Sequence, residues 1–133
     1  MPVQIAGLDL YVNHPVIALG SSEWIPASLE LGGRAAAACE THLVVRVQPQ
    51  TSLVRVRIFH ADPESVAGPG LGFTTVFSGP LLLPDGRLVV GDIMGQSRFT
   101  TSLLGPGLHR ARVDVDDAVG HAHVVDITVA RDS

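Results

Sequence analysis

Two histidines near the end of the chain have the spacing of metal ligands. His121 and His123 are separated by one residue in a segment that has the pattern of a β-strand. Alternate residues of a strand point the same way, so the two imidazoles would lie about 6.6 Å apart. A metal site needs a third ligand, and His109, Asp114 or Asp116 on the neighbouring strand is placed to supply one. The pattern indicates either a metal site of His121, His123 and His109 or two half-exposed histidines at the start of a strand.

A second group of residues has the character of a binding surface. In the segment Leu53–Phe59 apolar residues alternate with charged ones, which places Arg55 and Arg57 on the outer face of a strand. Arg46 lies on the preceding strand. The three side chains would then form a row of guanidinium groups on one sheet surface.

Two further segments supply candidate partner-binding residues. The stretch His60–Gly72 lacks strand periodicity and carries acidic residues, and loops of this length are often functional. The only tryptophan follows a polar break, where a large aromatic side chain usually covers one end of a core, and stacking on a ligand or partner is its alternative role. The candidate partner-binding residues are therefore Trp24, Asp62, Glu64, Arg55 and Arg57.

The composition favours a protein partner over a polyanion. The 133 residues suit one domain spanning residues 1–133, and the 46% of hydrophobic residues can fill a sizeable core. A formal net charge of −4 opposes attraction to nucleic acid or to an anionic membrane surface and would steer the protein toward a basic partner. No pattern ties a serine or Cys39 to a base, so no catalytic residue and no cofactor is predicted.

The sequence also predicts a bacterial cytoplasmic protein. All nine strong bases are arginine, a composition that we attribute to a GC-rich bacterial genome. Cys39 is the single cysteine, which excludes an internal disulfide and fits a reducing compartment. The first residues show no secretion signal, and the apolar runs are far shorter than the roughly 20 residues of a membrane-spanning helix.

Turn residues and strand residues alternate through the second half of the chain. Gly and Pro occupy the breaks, and the segments between them are rich in β-branched, aromatic and leucine residues. This alternation predicts an antiparallel meander. Its four strands are Phe73–Ser78, Arg87–Val90, Ser97–Leu103 and Leu108–Asp116.

The first half of the chain has a less regular pattern. Pro15 interrupts residues 5–19, which predicts an edge strand or two short strands joined at a kink. Residues 34–40 have the highest helical propensity but are too few for a stable helix. They form either one helical turn packed on the sheet or the start of the strand that continues as His42–Val47. We prefer a short connection followed by that strand.

The strands and their turns together predict the fold. Hairpins are expected for His42–Val47 with Leu53–Phe59, around the Asp85-Gly86 turn, and for Leu108–Asp116 with Ala122–Ala130. About eight or nine short antiparallel strands bury their apolar faces most economically in two packed sheets. The predicted fold is therefore an all-β, antiparallel two-sheet sandwich with at most one short helical turn.

The order of these features resembles a known family. A first strand at Leu8–Val12, Trp24 after a polar break, the segment Thr75–Leu81 and the late segment Gly105–Val113 follow one another as in the small β-sandwich family of competence protein J, the inhibitor of a DNA-entry nuclease. The resemblance covers most of the chain at the level of pattern. It implies a protein-binding role through an acidic surface without catalysis, and it identifies no individual binding residue.

Two classes of function follow from the sequence. One is a non-catalytic protein-interaction module, such as a nuclease inhibitor or an immunity-type protein. The alternative is a β-sandwich that binds a metal or small ligand through His121 and His123. Exposed edge strands would also let the chain form a homodimer.

Overall fold

Ten strands form two facing sheets in the described part of the chain. The computed structural model describes residues 3–12, 15–22, 24–26, 29–47, 52–61, 70–92, 98–102, 105–117 and 122–131. The strands are β1 (Val3–Val12), β2 (Val16–Gly20), β3 (Ala36–Ala38), β4 (His42–Arg46), β5 (Ser52–Ala61), β6 (Thr74–Leu83), β7 (Leu88–Asp92), β8 (Arg98–Thr101), β9 (Gly107–Val115) and β10 (Val124–Arg131). Sheet A has the strand order β1-β5-β10-β9-β6 and sheet B the order β3-β4-β2-β7-β8; the β5–β10 pair is parallel and the other pairs are antiparallel.

The core lies between the two sheets and confirms the predicted all-β sandwich. Val54, Val56 and Ile58 alternate along β5 and are all fully buried, as the period of two predicts. Leu19 and Leu43 belong to the same apolar cluster from the side of sheet B. Full burial of one such side chain contributes about 1.5–3 kcal/mol, so the two inner faces hold the sandwich together.

The chain changes sheet at several of its turns. Pro15 separates β1, an edge strand of sheet A, from β2 in the middle of sheet B, which confirms two strands joined at a break. The Asp85-Gly86 turn forms as predicted, because Gly86 has a positive φ of 69° and its N–H donates to the Leu83 carbonyl at 3.0 Å. That turn leads from sheet A to sheet B, so the predicted hairpin around it is wrong.

Two other predicted pairings are also wrong. β4 pairs with β2 and β3 in sheet B, whereas β5 pairs with β1 and β10 in sheet A, so His42–Val47 and Leu53–Phe59 form no hairpin. The four strands of the predicted meander exist, but β6 pairs with β9 and β7 pairs with β8 in different sheets. Residue alternation shows which face of a strand is apolar; it does not identify the neighbouring strand.

Two local predictions have clear outcomes. Ala36–Ala38 is a three-residue edge strand paired with β4 rather than a helical turn, because its backbone finds partners on β4 and Ala37 is buried on the sheet. β9 and β10 pair antiparallel with Val115 opposite Val125, which confirms that hairpin. In the described part of the chain, no helix has the length and apolar character that crossing a membrane requires.

Candidate partner-binding surfaces

A segment between β2 and β3 covers the outer face of sheet B. We call residues 21–34 the cover segment; residues 23, 27 and 28 lie outside the described residues. Ile25, Leu29 and Leu31 pack on an apolar cluster that includes Ala18 and Val44 from the sheet. The cover segment therefore removes from water an apolar sheet surface that would otherwise be exposed.

His42 fastens the beginning of the cover segment to the sheet. Its side chain is only 4% exposed, and its Nε2 lies 3.1 Å from the Ser22 carbonyl oxygen. Because a carbonyl oxygen can only accept, Nε2 carries the proton, and Nδ1 accepts from the Thr41 hydroxyl at 2.8 Å. The lone pair therefore does not face Ser22, whose hydroxyl oxygen lies 3.3 Å from Nε2. We call this contact between His42 and Ser22 the brace. It holds the cover segment on the sheet and does not have the geometry of a nucleophile with its base.

Two arginines fasten the end of the cover segment. Arg46 donates from Nη2 to the Gly32 carbonyl at 2.6 Å and from Nε to the Arg34 carbonyl at 3.3 Å. Arg34 in turn donates from Nη2 to the Glu30 carbonyl at 3.0 Å and from Nε to the Leu31 carbonyl at 3.3 Å. Charge-assisted hydrogen bonds of this kind are stronger than neutral ones, so the described backbone of the segment is held at both ends.

Trp24 projects from this held backbone into solvent. Its side chain is 79% exposed, and its backbone N–H donates to the Ser22 hydroxyl at 3.3 Å. The prediction that Trp24 covers one end of the core is wrong, because Ile25, Leu29 and Leu31 take that role. An exposed indole on an already ordered backbone has little conformational entropy to lose on binding, and tryptophan is enriched among the residues that dominate interfaces.

The outer face of sheet A carries ion pairs in place of a cover. Arg57 donates from Nε and Nη2 to the two carboxylate oxygens of Asp126 at 2.6 and 2.7 Å. This hydrogen-bonded carboxylate raises the pKa of Arg57 above its ordinary value, against the opposing effect of burial. The guanidinium also lies over the rings of Phe59 and Phe73, at 5.9 and 5.5 Å from their centroids. Arg57 thus uses Nε and Nη2 for contacts within the chain.

A second ion pair on the same face offsets the repulsion between two carboxylates that stand opposite each other. Asp126 stands directly opposite Asp114, and like charges in that arrangement destabilise a sheet. Asp114 is only 2% exposed, and it accepts from Arg112 Nε at 3.0 Å and from the Thr75 hydroxyl at 2.6 Å. Each buried carboxylate therefore has its own arginine, and the network stabilises the sheet.

The predicted row of arginines is only partly present. Arg55 lies on the outer face of sheet A, where its Nε donates to Asp9 at 3.2 Å, and both side chains are largely exposed, at 64% and 44%. Arg46 belongs to sheet B and is not part of this row, because β4 and β5 are not neighbours. Asp62 and Glu64 lie outside the described residues, so their role in partner binding stays a prediction.

The three histidines of the predicted metal site lie in different environments. His109 is fully buried, with its Nδ1 3.0 Å from the Gly107 carbonyl oxygen. His123 is exposed just before β10, where its backbone N–H donates to Asp116. In the β9–β10 register His109 stands opposite Arg131, six residues beyond Val125, or about 20 Å along the strand. His109 and His123 are therefore far apart.

No group of three or more His, Cys, Asp or Glu residues in the described ranges has the arrangement of a metal site. His121 lies outside those ranges. A metal bound by His121 and His123 without His109 stays a prediction.

The elements that hold Trp24 in place have weak sequence signals. His42 and Ser22 are twenty residues apart, and Arg46 reaches back fourteen residues to Gly32. Gly20 offers the one local sign, because it stands opposite His42 and a Cβ there would collide with the His42 ring. A glycine in a buried strand indicates close approach of another group, and it could have directed attention to His42.

Solved structures share this architecture over the whole chain. One is the crystal structure of ComJ from Bacillus subtilis, an inhibitor of the DNA degrading activity of NucA, with a TM-score of 0.73 at 14% identity over 99% of both chains. Another is the protein of crocagin biosynthetic gene J, with a TM-score of 0.62 at 13% identity over 100% of this chain and 98% of that chain. Neither a protein-family model nor a curated protein matches the sequence. The resemblance in fold expected from the sequence pattern is confirmed.

Proposed function

We propose that this chain is a non-catalytic protein-interaction module that inhibits a DNA-degrading enzyme. The observation that carries the proposal is the shared fold with an inhibitor of that kind over 99% of both chains. The net charge of −4 on this chain suits a partner with a basic surface. An enzyme that binds DNA presents such a surface. The single cysteine fits a reducing compartment, so we propose a bacterial cytoplasmic setting.

Trp24 is the proposed anchor of the interface. The indole is exposed, while His42 and Arg46 hold the segment that carries it, so the partner meets a preordered group. Truncating a central interface tryptophan typically costs at least about 2 kcal/mol, which corresponds to roughly 30-fold in affinity. The exposed arginine Arg55 would belong to the rim, where single charges change the association rate more than the affinity.

The proposal is tested by mixing the purified chain with a NucA-type nuclease and following plasmid degradation. We expect inhibition that saturates at a fixed molar ratio and a complex that survives gel filtration at low salt. Trp24 is the only tryptophan, so its emission should shift to shorter wavelength as the indole leaves water. Unchanged digestion at a large excess of the chain, together with no complex, would contradict the proposal.

A matched pair of variants tests the anchor. Trp24→Ala should weaken inhibition roughly 30-fold without changing the melting temperature, because the side chain makes little buried contact. Leu71→Ala is the control, since Leu71 is fully exposed at a distance in sequence from the cover segment. Equal inhibition by both variants and the parent would remove Trp24 from the interface while leaving the inhibitor function intact.

A further inference from the structure

The edge of β1 is open over its whole described length. β1 hydrogen-bonds to β5 on one side, and among the described residues no other strand pairs with it. Apart from the β5 ladder, the Ala6 carbonyl accepts from Gln4 Nε2 of the same strand at 3.3 Å. The remaining edges are shorter or protected: β3 and β8 have three and four residues, and β6 contains Pro80 and donates from Leu82 N–H to the Glu40 carbonyl at 2.9 Å. A long edge strand without proline or a basic residue is a template for pairing with another strand.

A shallow depression lies on the outer face of sheet A beside this edge. Gly7 stands opposite Arg57 in the register of β1 and β5. Gly7 has no side chain, and only the flexible Gln4 amide approaches the space beside it, at 2.8 Å from where a Cβ would stand. Arg57 directs Nε and Nη2 to Asp126, and Arg55 directs Nε to Asp9. The other guanidinium donors of the two arginines can therefore receive a carboxylate from outside. The depression is lined by Gln4, Gly7, Leu8, Asp9, Arg55 and Arg57.

We propose that a second copy of this chain pairs with it along β1, antiparallel about a two-fold axis at Leu8. Gly7 and Asp9 both lie on the outer face, and a two-fold axis at any residue of β1 keeps the core faces of the two sheets on the same side. Three such axes lie at the centre of β1, at Gly7, Leu8 and Asp9. A two-fold axis at Asp9 would set the Asp9 carboxylates of the two copies opposite each other, where they repel. An axis at Gly7 would set Gly7 opposite Gly7 and leave both depressions empty. The axis at Leu8 places the partner's Asp9 opposite Gly7, beside Arg57, and symmetry repeats the contact.

The same register extends the apolar side of the sheet. Leu8 is partly buried against the core and would meet the partner's Leu8 on the axis. Ala6, also partly buried, would oppose the partner's Leu10. The irregularity in the β1–β5 register lies between Gln4 and Ala6, at the border of the paired stretch, so the central ladder is regular. Sheet A of one copy and sheet A of the other, with five strands each, would form one continuous sheet of ten strands.

The oligomeric state and one variant pair test the interface. Light scattering during gel filtration of the full chain at about 100 µM should give twice the chain mass. Gly7→Asp should return the mass to that of one chain, because it places a carboxylate opposite the partner's Asp9, which it repels. A Cβ at Gly7 would meet only the flexible Gln4 amide nitrogen, at 2.8 Å, so the variant should keep the parent's circular dichroism. Thr74→Asp adds the same charge at an exposed position on the opposite edge of sheet A and should stay dimeric.

Disulfide formation tests the register. In a Cys39→Ser background, Leu8→Cys places two thiols on the axis at a separation that a disulfide can bridge, so mild oxidation should give a covalent dimer. Ala6→Cys is the control, because it would face Leu10 of the second copy and not itself. A monomeric parent at about 100 µM, a dimer that survives Gly7→Asp, or more efficient crosslinking at position 6 than at position 8 would overturn the proposal. None of these outcomes depends on nuclease inhibition.

Discussion

The two sheets have similar inner faces and opposite outer ones. On sheet B the outer positions include Ala18, Ala37 and Val44, and the chain covers them with its own segment. On sheet A the outer positions include Arg57 and Asp126, which pair with each other and leave the face open. An apolar outer face needs a further layer of chain to exclude water, whereas a face of satisfied ion pairs does not. The exposed Trp24 is a consequence of the covered face.

Removing the brace under the cover segment should have the largest effect. In Gly20→Ala, the new Cβ would collide with the Thr41 carbonyl oxygen and lie 2.6 Å from Cδ2 of His42. Because the backbone must shift, we expect a loss of about 3 kcal/mol in the free energy of unfolding by urea titration. Gly33→Ala is the control, since no atom lies within 4 Å of the position that its new methyl group would take. Equal stability of the two variants would mean that close packing at Gly20 does not hold the segment.

Breaking the main ion pair of sheet A should have an intermediate effect. Arg57→Ala leaves Asp126 unpaired opposite Asp114 and removes the contacts with Phe59 and Phe73. We expect the free energy of unfolding, measured by urea titration, to fall by about 2 kcal/mol. This is below the range for fully buried ion pairs because Arg57 is partly exposed. The double variant Arg57→Ala with Asp126→Ala should regain part of this free energy. A double variant less stable than Arg57→Ala would show that the lone carboxylate is not the cause.

The loss of unfolding free energy in Arg57→Ala should be the same at neutral and at moderately alkaline pH. The folded-state pKa of Arg57 is raised, so its contribution is fully present below the ordinary arginine pKa. That contribution disappears only as the pH rises through the higher folded-state pKa. Unfolding free energies measured at pH 7 and at pH 9 should therefore give the same difference between parent and variant. A difference that shrinks between these pH values would contradict this assignment of the charge.

Breaking the exposed ion pair of sheet A, between Arg55 and Asp9, should have the smallest effect on stability. Arg55→Ala removes a single hydrogen bond to Asp9 between two largely exposed side chains. Pairs of this kind contribute about 0.5 kcal/mol or less and are screened by salt. Urea unfolding at low and high salt should give a difference from the parent that is small and vanishes at high salt. A loss as large as that of Arg57→Ala would remove the distinction between the pairs.

Sequence reasoning succeeded where the signal is local. The alternation in Leu53–Phe59 identified the buried residues of β5, and the glycine after Asp85 identified a turn. It failed for strand neighbours, since β4 and β5 are adjacent in sequence but lie in different sheets. It also failed for Trp24, whose exposure depends on Ile25 and Leu29 occupying the sheet surface first. The brace from His42 to Ser22 spans twenty residues without a motif.

The sequence by itself determined the longer strands, their buried faces and the all-β sandwich, because side-chain alternation and turn geometry act between residues a few positions apart. The three-residue strand Ala36–Ala38 carried no such signal. The tertiary structure decided which strands pair, which outer face is covered and which side chains remain exposed. Those outcomes depend on contacts between distant segments, such as Arg57 with Asp126 or Arg46 with Gly32. Each of these contacts requires closing a loop of chain between the two segments, and the side-chain pattern of neither segment specifies its partner. For that reason Trp24, which the sequence pattern favoured as a cover over one end of the core, is exposed on the surface.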